Sequence, residues 1–217
     1  MLYFGSFNPV HRGHIAIAEH AIDRGLADMV VLVVSPQNPY KESDELAPEV
    51  ERFEMAERAA AASRHPWLIQ ASAVELTLPR PSYTIDTLRF LQEQLPDTEF
   101  SILVGGDNAA SMSGWREADK ILGRYPIFVY PREGDDPSKF PAGATVLDDA
   151  PPLDVSSTEV RKLLESGREH YRAGDFGAAA NDFARARELS PQSVEAAGYL
   201  EMIDEIFSFR NTDLMNP

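Results

Sequence analysis

The stretch "GSFNPVHRGH", residues 5–14, directly follows a short apolar run, "MLYF". It joins a glycine-containing turn to two histidines, His11 and His14, which are three positions apart and so share one face of any helix that begins here. Pro9 restricts the turn, and the two glycines let the backbone approach a ligand closely. The residues alone leave three interpretations open: a structural turn with incidental histidines, half of a zinc site, or a phosphate cradle of backbone N–H groups at a helix N-terminus.

The composition limits the classes of partner. The formal net charge of −15 argues against a nucleic-acid partner, because such binding depends on clustered Lys and Arg, but it does not exclude a small anion. No run of apolar residues approaches the roughly 18 that a membrane span needs. The chain has no cysteine, and "MLYFGSF" lacks the features of a secretory signal. We therefore expect a cytoplasmic protein whose partners are small molecules, without nucleic acid or membrane.

The first 150 residues alternate between runs typical of strands and runs of helical period. This alternation predicts an α/β fold, a Rossmann-like doubly wound parallel sheet that binds ligands at the carboxyl ends of its strands. The predicted strands are "MLYF", "DMVVLVVSP", "WLIQAS", "EFSILVGG", "YPIFVYPR" and a short "ATVLDD". The predicted helices between them are "HIAIAEHAIDRG", "ELAPEVERFEMAERAAAASR", "YTIDTLRFLQEQL" and a short "WREADKIL".

From Ser156 to about Phe207 the chain is predicted to be all helical. The segment "LLESGREHYRAGDFGAAANDFARARELSP" resembles one 34-residue tetratricopeptide unit. The small, aromatic and proline positions of that pattern fall on Gly167, Gly174, Phe176, Ala179, Phe183, Ala186 and Pro191. A single unit cannot bury its own apolar face. We expect "SVEAAGYLEMIDEIFSF" to cap it, and the remaining face to pack on the first domain or on a second copy in a homo-oligomer.

A second polar motif, "VSSTEVR" at residues 155–161, follows the last predicted strand. Its hydroxyl groups can cap the N–H groups of a helix start, and Arg161 projects one turn later toward the same place. An ordinary capping box with Ser157 or Thr158 as the cap is the alternative that the residues leave open.

The two motifs, in this order, resemble the signatures of a nucleotidyltransferase superfamily. That superfamily carries His-x-Gly-His after a Gly-x-Phe-x-Pro turn, and Ile-Ser-Ser-Thr-x-Ile-Arg near the end of its sheet domain. The resemblance implies that His11 and His14 contact ATP phosphates, that His14 supports charge on the α-phosphate, and that Arg161 closes over the triphosphate. The implied remaining nucleotide contacts are Gly5, Ser6, Phe7, Ser156 and Ser157.

The middle of the chain narrows the resemblance to one family. "PSYTIDTL", "GGDN" and Trp115 are similar to motifs of the nicotinate mononucleotide adenylyltransferases. The similarity implies that Tyr83, Thr84 and Trp115 border the pyridine ring and that Asp107 approaches the ribose. A half-buried packing residue on a short helix is the alternative role for Trp115.

The resemblance continues at "SPQNPYK", where the family often has Pro-His-Lys. Tyr40 stands in place of that histidine, so only a phosphate contact from Lys41 is carried over. The resemblance covers residues 1–165, which we expect to form the nucleotidyltransferase domain, with residues 166–217 as the helical extension.

The implied reaction joins ATP and nicotinate mononucleotide to give nicotinate adenine dinucleotide and pyrophosphate, a step of NAD biosynthesis. Mg²⁺ would arrive with the triphosphate, held by phosphate oxygens and water, without dedicated protein metal ligands. Two other functions stay open. One is transfer to another acceptor, as in phosphopantetheine adenylyltransferases or cytidylyltransferases, and the other is a non-catalytic nucleotide-sensing adaptor.

Overall fold

The structure is a computed structural model that describes residues 1–36, 46–152 and 154–213. The chain divides into two compact units. The first comprises Met1–Asn8 and Gly13–Asp154, and the second Pro9–Arg12 and Val155–Pro217. Our prediction of a nucleotidyltransferase domain at residues 1–165 and a helical extension at residues 166–217 stays a prediction.

The first unit is built on a six-stranded, all-parallel sheet of order β3-β2-β1-β4-β5-β6. Its strands are Leu2–Gly5, Val30–Val34, Ile69–Ser72, Ile102–Gly105, Ile127–Tyr130 and Thr145–Val146, numbered β1 to β6. The first strand lies in the middle, because Leu2 pairs with Val31 on one side and Ile102 on the other. The doubly wound fold class predicted from the alternating pattern is confirmed.

Helices connect these strands and cover the sheet. They are α1 Arg12–Asp23, α2 Glu49–Ala61, α3 Val74–Thr77, α4 Thr84–Gln94, α5 Gly106–Ser111 and α6 Ala118–Leu122, with short 3₁₀ turns at Met112–Gly114 and Pro137–Lys139. The four-residue α3 has too few residues to show a helical period and was not predicted. The helix predicted over "WREADKIL" begins only at Ala118, because Glu117 has a left-handed φ of 52°.

The residues of the four central strands, β1, β2, β4 and β5, are apolar and mostly buried, as expected for a parallel sheet covered on both faces, whereas the edge strands β3 and β6 include the exposed Gln70 and Thr145. Leu32, Ile69, Ile102 and Val129 are each 0% exposed. No helix in the described part of the chain is both long and apolar enough to cross a membrane.

The second unit contains three helices, α7 Ser157–Arg172, α8 Phe176–Leu189 and α9 Val194–Asp213. Helices α7 and α8 approach closely at Gly167, where a Cβ atom would lie 2.8 Å from the Phe183 ring. That ring stacks in turn on Tyr199 of α9, with centroids 4.4 Å apart. The predicted C-terminal helical extension is confirmed, and its tetratricopeptide character stays a prediction.

Candidate active site

The motif "GSFNPVHRGH" lies at the point where the strand order reverses. Its first residue, Gly5, ends β1, and Gly105 ends the neighbouring β4. Helices α1 and α5 start beyond these two strand ends. In doubly wound sheets the crevice between two such strands is where ligands bind.

The turn after β1 is tight and strained. Phe7 is 2% exposed and adopts a left-handed φ of 45°, which is uncommon for a residue with a bulky side chain. Its ring lies against Gly5, where a Cβ atom would be 3.0 Å from Phe7 Cζ. Any larger residue at position 5 would displace this ring, which explains the glycine before the phenylalanine.

The imidazole of His14 is held by aromatic neighbours. His14 lies in the first turn of α1 and is 9% exposed. The ring centroid of Phe7 is 5.0 Å from that of His14, and the Tyr3 centroid is 5.9 Å from it. Both rings present tilted or edge-on contacts, with interplanar angles of 73° and 58°. These two ring contacts restrict the orientation of the His14 imidazole.

Tyr3, which contacts His14, is the first of three polar side chains linked by hydrogen bonds. The buried Tyr3 hydroxyl donates a hydrogen bond of 2.8 Å to the hydroxyl of Tyr130, which also accepts one of 3.3 Å from Arg132 Nη2. Burial, followed by the neighbouring Tyr130, raises the pKa of Tyr3 well above 10.0, so this phenol stays neutral. Sequence reasoning missed Tyr130 and Arg132, although both lie at the carboxyl end of a predicted strand, where ligands are expected.

Asp107 projects from the start of α5 and is exposed. Two glycines make room around it. A Cβ atom on Gly105 would lie 2.9 Å from the Asp107 carboxylate, and one on Gly106 would overlap the carboxylate of Asp135. The Asp135 carboxylate accepts a 2.7 Å hydrogen bond from the backbone N–H of Arg132. The motif "GGDN" is thus explained by close packing of two acidic side chains at the end of β4.

Tyr83 and Trp115 are both partly buried and pack against the same core cluster. Tyr83 immediately precedes α4, whose first residue is Thr84, and the guanidinium of Arg116 lies 4.7 Å from the Tyr83 ring centroid. Trp115 follows a 3₁₀ turn and has the half-buried packing position that we considered as its alternative role. Its contact with a pyridine ring stays a prediction, as does the ring contact of Tyr83.

A buried carboxylate fixes the segment that carries Tyr83 and Thr84. Glu75, 2% exposed, accepts hydrogen bonds from Thr87 Oγ1 at 2.8 Å and Ser82 Oγ at 3.2 Å. Burial raises the pKa of Glu75 above 4.5, while hydrogen bonds from Ser35, Thr87 and Ser82 oppose that rise. Sequence reasoning missed Glu75, because no local pattern distinguishes it from a surface glutamate.

Arg52 joins the loops that follow β1 and β2. Its side chain is 0% exposed and donates to the carbonyl oxygens of Ser6 at 2.5 Å, Ser35 at 2.8 Å, Pro36 at 2.8 Å and Ala47 at 2.9 Å. Burial lowers the pKa of the Arg52 guanidinium, which nevertheless remains a cation at neutral pH. Arg52 thereby sets the position of Ser6 in the turn after β1. Lys41, the predicted phosphate contact in the second of these loops, lies outside the described residues.

The second unit contains the other polar motif. Ser156 is the N-cap of α7, and its hydroxyl accepts a 3.1 Å hydrogen bond from the backbone N–H of Glu159. The capping alternative named Ser157 or Thr158, and it was wrong about the residue. Ser157 Oγ instead donates to the carbonyl of Pro9 at 3.0 Å, and Thr158 Oγ1 accepts from Arg161 Nη2 at 3.3 Å. Arg161 is half-buried in the first turns of this helix.

His11 also belongs to the second unit, one residue before α1 begins. It is 2% exposed. Within the described ranges, no group of three or more His, Cys, Asp or Glu side chains is arranged to hold a metal ion.

Known proteins are similar to this chain in sequence. The cytidylyltransferase-like family model matches residues 2–163. A protein of Cytophaga hutchinsonii named "Probable nicotinate-nucleotide adenylyltransferase" is 39% identical over 165 residues, 76% of this chain and 84% of its own. One of the same name from Gloeobacter violaceus is 39% identical over 181 residues, 79% of this chain and 86% of its own.

Solved structures share the fold. The Plasmodium falciparum nicotinic acid mononucleotide adenylyltransferase complexed with NaAD superposes with a TM-score of 0.63 at 20% identity, covering 75% of this chain and 82% of that one. The same enzyme complexed with APC gives a TM-score of 0.61 at 20% identity, over 75% and 82% of the two chains. Together with the curated relatives, these matches confirm the resemblance found in the motifs. The chain belongs to the nicotinate-nucleotide adenylyltransferase family of cytidylyltransferase-like nucleotidyltransferases.

Proposed function

We propose that this chain transfers the adenylyl group of ATP to nicotinate mononucleotide, giving nicotinate adenine dinucleotide and pyrophosphate in NAD biosynthesis. The observation that carries the proposal is the position of the two-histidine motif, at the end of β1 where the strand order reverses. Family membership supports it, as does the bound dinucleotide named for the Plasmodium enzyme of the same fold.

The reaction needs no protein nucleophile. An oxygen of the mononucleotide 5′-phosphate attacks the α-phosphorus of ATP in line, and a new P–O bond forms. The bond from the α-phosphorus to the bridging oxygen of the β-phosphate breaks, and its electron pair leaves with pyrophosphate. Catalysis then depends on positioning and on charge stabilisation, as in other phosphoryl-type transfers. Orientation of two bound reactants can lower the barrier by about 7–11 kcal/mol.

We assign His14 the role of donating to the α-phosphate as charge develops on it. Its ring is held by Tyr3 and Phe7, so little reorganisation is needed when the transition state forms. A donor prepared in this way typically contributes about 3 kcal/mol. His11 and Arg161 bind the triphosphate, together with Gly5, Ser6, Phe7, Ser156 and Ser157.

The mononucleotide is assigned to the other predicted residues. Tyr83, Thr84 and Trp115 border the pyridine ring, and Asp107 accepts from the ribose hydroxyls. Lys41 contacts the phosphate. The packing of Tyr83 and Trp115 on one core cluster supports a common ring-binding role for them.

Mg²⁺ enters with ATP as its co-substrate complex. It would be held mainly by phosphate oxygens and water, and it would neutralise part of the negative charge on the leaving pyrophosphate. The residues of the chain fit this arrangement, because imidazole and guanidinium groups bind the phosphate oxygens directly rather than the metal.

The proposal is tested by pyrophosphate release from ATP and Mg²⁺ with nicotinate mononucleotide, nicotinamide mononucleotide and phosphopantetheine in separate reactions. We expect turnover with nicotinate mononucleotide and a dinucleotide product by chromatography. Turnover only with phosphopantetheine would contradict the proposed substrate and identify phosphopantetheine as the acceptor. ATP binding without turnover with any acceptor would favour the nucleotide-sensing adaptor.

We also propose that the protein is cytoplasmic and that the C-terminal extension is tetratricopeptide-like. We propose further that two copies of the chain associate through α9. The helix exposes Val194, Met202 and Phe209, which are 58%, 41% and 70% exposed. Light scattering of the full chain tests self-association. A dimer that dissociates on Met202→Glu is the expected result, and a monomer at all concentrations would contradict it.

A further inference from the structure

The four residues Pro9–Arg12, in the middle of the two-histidine motif, pack within the second unit. Three side chains of the C-terminal helices contact them. Ser157 Oγ donates to the Pro9 carbonyl at 3.0 Å, Ser190 Oγ donates to the Val10 carbonyl at 2.6 Å, and Glu188 Oε1 lies 3.5 Å from Arg12 Nη1.

The contact from Ser190 is the most restrictive of the three. Ser190 directly follows α8 and is 0% exposed, and Val10 is 1% exposed, so water does not compete for this hydrogen bond. Its backbone is fixed as well, because the Ser190 N–H donates to the carbonyl of Ala186 at 2.8 Å. The Arg12–Glu188 pair, by comparison, is long and half exposed, and such pairs contribute little.

The bond acts on His11 through the backbone. The carbonyl of Val10 and the N–H of His11 belong to one planar peptide unit, so fixing the carbonyl oxygen also fixes where the His11 Cα atom lies. The buried side chain of His11 is then attached to a Cα atom whose position is defined. A change of even 1 Å in a group that binds phosphate is enough to lower a rate substantially.

We infer that Ser190, which directly follows α8, is a positioning residue for His11, and so for the triphosphate contact proposed for that histidine. The inference rests on the proposed function. It goes beyond the family comparison, since the family model ends at residue 163, before α8 begins.

The test uses the full chain with Ser190→Ala, and with Ser190→Cys as a near-isosteric variant in case the alanine variant does not fold. Ser193→Ala is the matched control. Ser193 is another buried serine three residues later, and its hydroxyl accepts from the backbone N–H of Ala196 rather than contacting the motif. ATP affinity is measured by calorimetry with Mg²⁺, and kcat and both KM values are measured by pyrophosphate release.

We expect the Ser190 variants to bind ATP about tenfold more weakly and to lose at least about tenfold in kcat/KM for ATP. The KM for nicotinate mononucleotide should stay within twofold. Ser193→Ala should lower the melting temperature while leaving these constants unchanged. Ser190 variants with wild-type ATP affinity and turnover, or a Ser193 variant with the same losses, would overturn the inference.

The readouts separate this inference from the proposed function. A wild-type chain that binds ATP but does not turn over nicotinate mononucleotide would contradict the proposed reaction, and the ATP affinities would still decide the role of Ser190. A wild-type chain that does not bind ATP would overturn both.

Discussion

Arg52→Lys tests whether the buried guanidinium holds the loops after β1 and β2 together. Three nitrogen atoms of the Arg52 guanidinium donate four hydrogen bonds to backbone carbonyl oxygens. Lysine keeps the positive charge but has three donors on one nitrogen in place of a planar fork of five. We expect two of the four bonds to be lost. Each bond from a charged donor contributes about 1.5–3 kcal/mol, and water entering the gap recovers part of that, so the expected loss is about 3 kcal/mol.

The matched control is Arg58→Lys on the same helix. Arg58 is 48% exposed and pairs with Glu54 one turn away, so the control should change the free energy of unfolding by less than about 0.5 kcal/mol. Both tryptophans, Trp67 and Trp115, belong to the first unit, so urea unfolding followed by fluorescence reports on that unit. A loss in Arg52→Lys no larger than in Arg58→Lys would refute the assigned role.

Three further predictions concern buried groups. Because the raised pKa of Glu75 favours its protonated form in the folded state, its stabilisation is complete below pH 4.5 and is lost as pH rises through the folded pKa. The free energy of urea unfolding of wild type should therefore fall relative to Glu75→Gln between pH 4.5 and 8, and an unchanged difference would contradict this. Gly167→Ala should lower the free energy of unfolding of the second unit by about 1–3 kcal/mol, because the new methyl group overpacks against the Phe183 ring. Gly198→Ala, which has open space around it, should stabilise the same unit. Thermal melts of the two variants test this, and equal changes in melting temperature would contradict the packing at Gly167. Tyr130→Phe should cost about 1–3 kcal/mol by leaving the buried Tyr3 hydroxyl without its acceptor, and a neutral effect in urea unfolding would argue against that hydrogen bond.

The sheet was predictable because its signal is local. The first five strands are mainly apolar runs that end at, or directly before, Gly, Ser or Pro, and the apolar residues of the longer helices between them recur about every 3.6 residues. The candidate site residues in the quoted motifs could be proposed from the sequence because chemistry and spacing occur together there. Gly5 and Phe7, for instance, stand two residues apart and pack directly on each other.

The missed residues act across long sequence separations. Arg52 binds carbonyl oxygens of loops 16 to 46 residues away, and Ser190 reaches the Val10 carbonyl from 180 residues away. Every residue has a backbone carbonyl group, so no pattern of side chains in the sequence could have identified the acceptors of Arg52 or Ser190. Glu75 is similar, because its hydroxyl donors are ordinary serines and threonines until the fold brings them together.

The most direct test of the account is His14→Ala beside His20→Ala, with pyrophosphate release from ATP and nicotinate mononucleotide as the readout. Both histidines lie on α1. His20 Nε2 is 3.2 Å from Asp149 Oδ1, whereas the His14 ring packs against the Phe7 ring of the turn after β1. The account predicts that kcat falls at least about a hundredfold in His14→Ala and stays within about twofold in His20→Ala, the difference expected for one lost transition-state donor. Equal rates in the two variants would contradict an adenylyl transfer centred on His14.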